Sequence, residues 1–178
     1  MDTLKLLAHP VRVRIVNALR GDRTLTTAGL AGRLPDVSKA TVYRHVELLA
    51  SAGVLEVAGE QRVRGAVERH YRLRQDRAVI DLEAARKMTP EDHRRAFASA
   101  VAALVAEFDA YLGREESDPV ADQVGYRQHA VWLDPAELQT LIAELRAAIA
   151  PRLANEAGPG RTRYLLSPIL FPSEPPAE

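Results

Sequence analysis

The chain has 178 residues, no cysteine, and 24 acidic side chains against 24 basic ones. The lack of cysteine excludes disulfide scaffolds, thiolate zinc sites and cysteine nucleophiles, and the length suits one or two small domains with cores of their own. With no N-terminal signal pattern and no apolar run of roughly 18 residues, the expectation is a soluble cytoplasmic protein with no membrane partner.

The zero net charge conceals a division. Residues 1–74 hold 13 Lys and Arg against 7 Asp and Glu, a net of +6, whereas residues 75–178 hold 11 against 17, a net of −6. The first part suits a polyanionic partner and the second does not. The change near Gln75 also marks a domain boundary.

Thr3 to Leu7 reads as a short helical turn, and Pro10 opens the next helix, where its missing N–H needs no partner. Val11, Ile15, Ala18 and Leu19 follow at helical spacing, with Arg12, Arg14 and Arg20 expected outside, until Gly21 and Asp22 end the helix. Thr26 or Thr27 caps a brief helix through Leu34, which turns Leu25, Leu30 and Leu34 inward, and Pro35 and Asp36 supply a turn. Ser38 then caps a further helix whose left-handed stop belongs at Gly53. Val42, Val46 and Leu49 form its inward stripe, with His45 beside it. Lys39, Tyr43 and Arg44 lie opposite, as a helix entering a major groove requires. Helix, short helix, turn, helix is a helix-turn-helix order.

After Gly53 the pattern changes to strands. Val54, Leu55 and Val57 have strand preference, Gly59 to Gly65 reads as a loop, and Val67, His70, Tyr71 and Leu73 form a returning strand. This two-stranded wing carries Arg62 and Arg64 at or near its tip, suited to backbone phosphate or a minor groove. Charge on an edge strand also serves simply to prevent aggregation.

Residues 6–19, Leu-Leu-Ala-His-Pro-Val-Arg-Val-Arg-Ile-Val-Asn-Ala-Leu, resemble the opening helix of ArsR-type winged helix-turn-helix repressors. Residues 37–55, with Ser, Thr, Arg-His, Leu and Ala-Gly in the family's order, resemble its reading helix, and Glu68 to Leu73 is similar to its closing strand. The resemblance covers roughly residues 3–74. It implies a homodimer on double-stranded DNA with two reading helices in successive major grooves, and Ser38, Lys39, Thr41, Tyr43 and Arg44 as the readers. The thiolate motif of the family's metal sensors is missing, since Leu30 to Val37 offers no such ligand. His9, His45, His70, His93 and His129 show no i, i+4 pairing, so no metal and no cofactor is expected.

The second half begins with an ambiguous stretch, Asp76 to Met88, either extended or the start of a helix. Thr89-Pro90-Glu91-Asp92 is a clear helix start. Phe97, Val101, Leu104, Phe108 and Tyr111 then alternate steps of four and three on a helix of roughly 24 residues, as a dimer seam would. The same stripe also suits packing on the winged domain. Glu115 to Asp122 reads as a polar linker. Tyr126 to Leu133 and Arg161 to Phe171 read as strands flanking a helix that starts at Asp134-Pro135 and turns Leu138, Leu141, Ile142, Leu145 and Ile149 to a core. Tyr126, His129, Trp132 and Arg163 are candidate pocket groups for a small-molecule effector, against the plainer reading that a strand tryptophan is packing.

The expected fold class is therefore α+β, mainly α. Residues 1–74 form a winged helix-turn-helix DNA-binding domain, 75–88 a linker and 89–113 a long dimerisation helix. Residues 124–171 form a strand-helix-strand unit, and 172–178 a loose tail. The expected function is sequence-specific transcriptional regulation, as a homodimeric repressor answering to a non-thiolate effector or partner. The alternatives are a winged-helix protein-docking module and a C-terminal small-molecule-binding or catalytic domain. No nucleophile elbow, phosphate-cradling glycine loop or metal pair points to an enzyme.

Overall fold

A computed structural model describes residues 6–63, 66–77 and 82–174. The chain divides into two compact units, residues 1–118 and 119–178.

In the first unit, α1 (Pro10–Leu19) starts at Pro10 as the sequence predicts, with His9 as the cap, its Nδ1 accepting from the Val11 N–H at 3.3 Å. β1 (Thr24–Thr26) runs directly into α2 (Thr27–Arg33), where Thr26 Oγ1 accepts from the Gly29 N–H at 3.1 Å. α3 (Lys39–Ser51) is capped by Ser38 and stopped by Gly53, whose φ of 72° is the left-handed conformation that favours glycine. The core gathers Leu6, Ile15, Leu19, Leu30, Leu34, Val42, Val46, Leu49, Val54, Leu55, Tyr71 and Leu73 around these three helices.

The wing is longer than expected. β2 (Leu55–Val63) continues into the stretch read as a loop, as far as Val63, and pairs antiparallel with β3 (Ala66–Leu73). Alternating cross-strand partners carry it: Glu56 stands opposite Arg72 and Glu60 opposite Arg69, and both pairs form ion pairs. A bulge between Val57 and Gly59 absorbs one extra residue and lets the strand continue. β1 adds to the other side of β3, so the sheet order is β1-β3-β2. Three residues are too few to show alternation, which is why the sequence did not reveal β1.

A turn at Gln75–Arg77 follows, then α4 (Leu82–Arg86). Of the ambiguous stretch after Asp76, residues 78–81 lie outside the described residues, as do Thr3 and Arg64. α5 (Pro90–Leu112) opens with a capping box in which Thr89 and Asp92 each accept from the other's backbone N–H, at 3.2 and 3.0 Å. It packs on α1. Its buried residues are the small Ser99 and Ala103, and one further turn along the same face lies Glu107, bonded to Arg14 of α1. The long helix is thus an integral part of the first unit and not a separate module. Its large apolar residues lie mostly on the opposite side of the helix wheel, and Phe97, Val105 and Leu112 are about half exposed.

The second unit corrects the expectation most. α6 (Pro135–Leu153) is present, begun by an Asp134–Glu137 capping box and continuing past Pro151. The segments 124–133 and 161–172 are not strands, so there is no strand-helix-strand arrangement. Apolar alternation supplies a face, but a strand also needs hydrogen-bonding neighbours. Nor does α6 turn a stripe into a core: none of its residues is buried, and Leu145 is 40% exposed.

Candidate nucleic-acid interface

The face of α3 away from its core stripe is built from both ends. At the N-terminus Ser38 Oγ accepts from the Thr41 N–H at 3.3 Å and donates to Thr41 Oγ1 at 2.9 Å. Ser38 and Thr41 therefore act on each other and hold the first turn open toward solvent. Along the exposed face lie Lys39, Tyr43 and Arg44; Tyr43 is 52% exposed. No ion pair occupies Lys39 or Arg44 among the described residues.

The helix wheel adds two residues that the sequence reading passed over. Ala40 lies between Tyr43 and Arg44 on the exposed face, small enough to admit a base edge or a thymine methyl group. Glu47, one turn beyond Tyr43, places a carboxylate on the C-terminal half of that face. Both could have been found by centring the wheel on the face opposite Val42, Val46 and Leu49 instead of selecting cations.

Beneath this face sits an unusual seat. His45 is 4% exposed, and its ring centroid lies 4.4 Å from that of His9, the cap of α1. Neither ring nitrogen of His45 has a hydrogen-bond partner among the described residues. Burial, with the charges of His9, Arg12 and Arg44 adding, pushes its pKa down to about 4. His9 is lowered too, by burial first and then by Arg12 and Arg44. The pair is neutral at ordinary pH, so the contact that seats α3 on α1 carries no charge. Arg12, a third residue not singled out as a DNA contact from the sequence, stands with Arg44 near enough to influence both rings.

On the wing, Arg62 is exposed and lies opposite Val67. Arg69 and Arg72 are engaged with Glu60 and Glu56. Arg62 forms no ion pair among the described residues and stays available to an external anion.

Residues 7–58 match the family model of a helix-turn-helix domain. The matched span runs from α1 to the first residues of β2, so α2 and α3 are the paired helices of the motif, with α3 the second of the two. Joined to the β2–β3 wing, it forms a winged helix-turn-helix, the architecture of DNA-binding transcription regulators. No curated protein matches the chain. No described helix is long and apolar enough to cross a membrane.

Elsewhere the predicted groups are dispersed. Of the seam residues, Phe97 is 49% exposed, Val101, Leu104, Phe108 and Tyr111 are half-buried, and the Phe108 and Tyr111 rings stack at 5.9 Å. The proposed pocket groups fare differently. Tyr126 and Trp132 are 81% and 75% exposed, His129 and Arg163 are exposed as well, and all four lie on non-strand segments.

Proposed function

We propose that this chain is a sequence-specific transcriptional regulator, a repressor acting as a homodimer on a partly palindromic duplex in the cytoplasm. The observation that carries the reading is the exposed face of α3, where Lys39, Ala40, Tyr43 and Arg44 project from a helix whose opposite side is locked into the core. Such a helix places side chains on base edges, while the wing's exposed Arg62 reaches phosphate and helps fix the register. The +6 balance of residues 1–74 supplies the field that draws a duplex in.

The homodimer is supported by the second face of α5. A 23-residue helix that turns its small residues to α1 and leaves Phe97, Val105 and Leu112 half exposed has a surface suited to a second copy. The exposed Trp132, Tyr164, Leu166 and Phe171 of the second unit support the same assignment, as apolar groups of this size rarely stay in water. An effector or partner would then act by changing the geometry of the paired helices, and a non-thiolate one is required by the lack of cysteine.

The test is titration of the chain against the duplex upstream of its own gene and against a scrambled duplex, at two salt concentrations. Tight binding to the first, weaker binding to the second and a steep salt slope are expected. Salt-independent affinity for a protein, with none for any duplex, overturns the reading in favour of a docking module. Arg44→Ala is expected to lower affinity by about 1 to 3 kcal/mol at its base pair without altering the unfolding midpoint.

A further inference from the structure

Arg14 lies on α1 at the edge of the apolar stripe, four residues before Ala18, and where the sequence leads one to expect an outside arginine it is 2% exposed. Its guanidinium holds Asp36 with two bonds, Nη1 to Oδ2 at 2.6 Å and Nη2 to Oδ1 at 2.8 Å, and its Nε donates to Glu107 Oε1 at 3.2 Å. Asp36 belongs to the turn between α2 and α3, two residues before the cap of the reading helix. Glu107 belongs to α5. One rigid fork therefore joins three elements: α1, the entry to α3 and the long helix.

We propose that Arg14 is a positioning residue that sets the orientation of the reading helix α3 relative to α5, and thereby the spacing of the two half-sites on DNA. This rests on the preceding reading that α5 pairs two copies of the chain. Two physical considerations favour positioning over plain stabilisation. Burying the Arg14 guanidinium is expensive even though Asp36 and Glu107 keep part of their surface in water, and an apolar side chain of similar volume would serve packing at least as well. What an apolar side chain lacks is direction: the planar guanidinium allows one arrangement of its two carboxylates, so a shift in either is transmitted to the other. The placement of Glu107 matches that role. It continues the Ser99–Ala103 face against α1, while its neighbour Phe108 belongs to the seam, so rotating α5 to suit a partner moves both together.

The experiment uses the full chain and the duplex that the wild type selects from a random-sequence pool. That duplex is compared with copies in which one half-site is scrambled or the central spacing is changed by one or two base pairs. Three variants are tested: Glu107→Gln, Asp36→Asn and Arg14→Lys. Glu107→Gln keeps an acceptor for Nε and is the least disturbing to the fold. Each is expected to keep single-half-site affinity within about threefold, to lose about tenfold on the full site and to bind altered spacings more evenly. A merely structural triad would lower half-site and full-site affinity in parallel with the melting temperature and leave spacing preference unchanged, which overturns the proposal. A wild type that binds full and half sites equally removes the dimer reading and this inference with it. A wild-type full-site preference that all three variants retain removes the inference alone.

Discussion

The segment from Leu6 to Leu73 and the segment from Pro119 to Glu174 both carry helical stripes, alternating runs and well-written caps, yet only the first closes around a core. In the first, Leu30, Val42 and Leu49 are completely buried. In the second, Leu153 is 70% exposed and Trp132 75%. Local chemistry is equally good in both: α3 has its Ser38 cap and α6 a full capping box. The difference lies in complementary surface. The stripes of α1, α2 and α3 face one another and the wing's Tyr71 and Leu73, whereas α6 has no such set of facing stripes within its own unit. A cap and a stripe thus specify an element and its sticky face, and burial follows only when the covering surface exists.

The sharpest way to break this comparison is to truncate a leucine on each side of it. Leu49→Ala is expected to lower the unfolding free energy by about 2 to 5 kcal/mol in urea titration, since it empties a fully packed site. Leu145→Ala, on the 40% exposed α6 face, is expected to change it by less than about 0.5 kcal/mol at protein concentrations too low for self-association. Equal losses would mean that the second unit has a core of its own.

Acid gives the next largest effect, through a histidine of the first region. The folded-state pKa of His45 is about 4 against an ordinary 6.5, so the unfolded chain takes up this proton more readily. The stabilisation from neutral His45 is complete above pH 6.5 and is lost as pH falls toward about 4, amounting to up to about 3 kcal/mol. His45→Leu should flatten that part of the stability-versus-pH curve, and an unchanged slope in the variant would show that His45 is not its source. Asp36, held below the usual carboxylate range by its bonds to Arg14, contributes in the same sense at lower pH, through the range where carboxylates protonate.

Smaller effects sharpen the assignment of α3 and the wing. Ser38→Ala removes the cap that accepts from Thr41, with an expected loss of about 1 kcal/mol in thermal or urea unfolding. Ser38→Asp should retain most of the stability. Arg62→Ala is expected to leave folding unchanged, to weaken all duplexes evenly and to reduce the salt slope by about one. A sequence-dependent loss would instead place Arg62 on a base edge.

Much of the first region was legible because its signals are local. Pro10, Thr26, Ser38, Gly53 and the Thr89-Pro90 start each act within a turn of where they stand, and the structure places element ends there. The exposed face of α3 followed from the stripe opposite it. The continuation of β2 to Val63 was not legible, because Gly59, Glu60 and Gln61 have loop chemistry and owe their strand geometry to pairing with β3. The burial of His45 and the contact with His9 were equally hidden, since 36 residues separate them and only the crossing of α1 and α3 brings their rings together.

The sequence by itself determined where α1, α2, α3 and α5 begin and end, which stripe of each is apolar, and that a cationic and aromatic face opposes the stripe of α3. Those are consequences of backbone hydrogen bonding and side-chain spacing within a few residues. Only the tertiary structure decided that Arg14 is buried between Asp36 and Glu107, that α5 joins the first unit through Ser99 and Ala103, and that the apolar runs after Asp118 gain no sheet. Each of these depends on which surfaces meet across distance in the chain, and a one-dimensional pattern shows the faces that seek a partner without showing the partner they find.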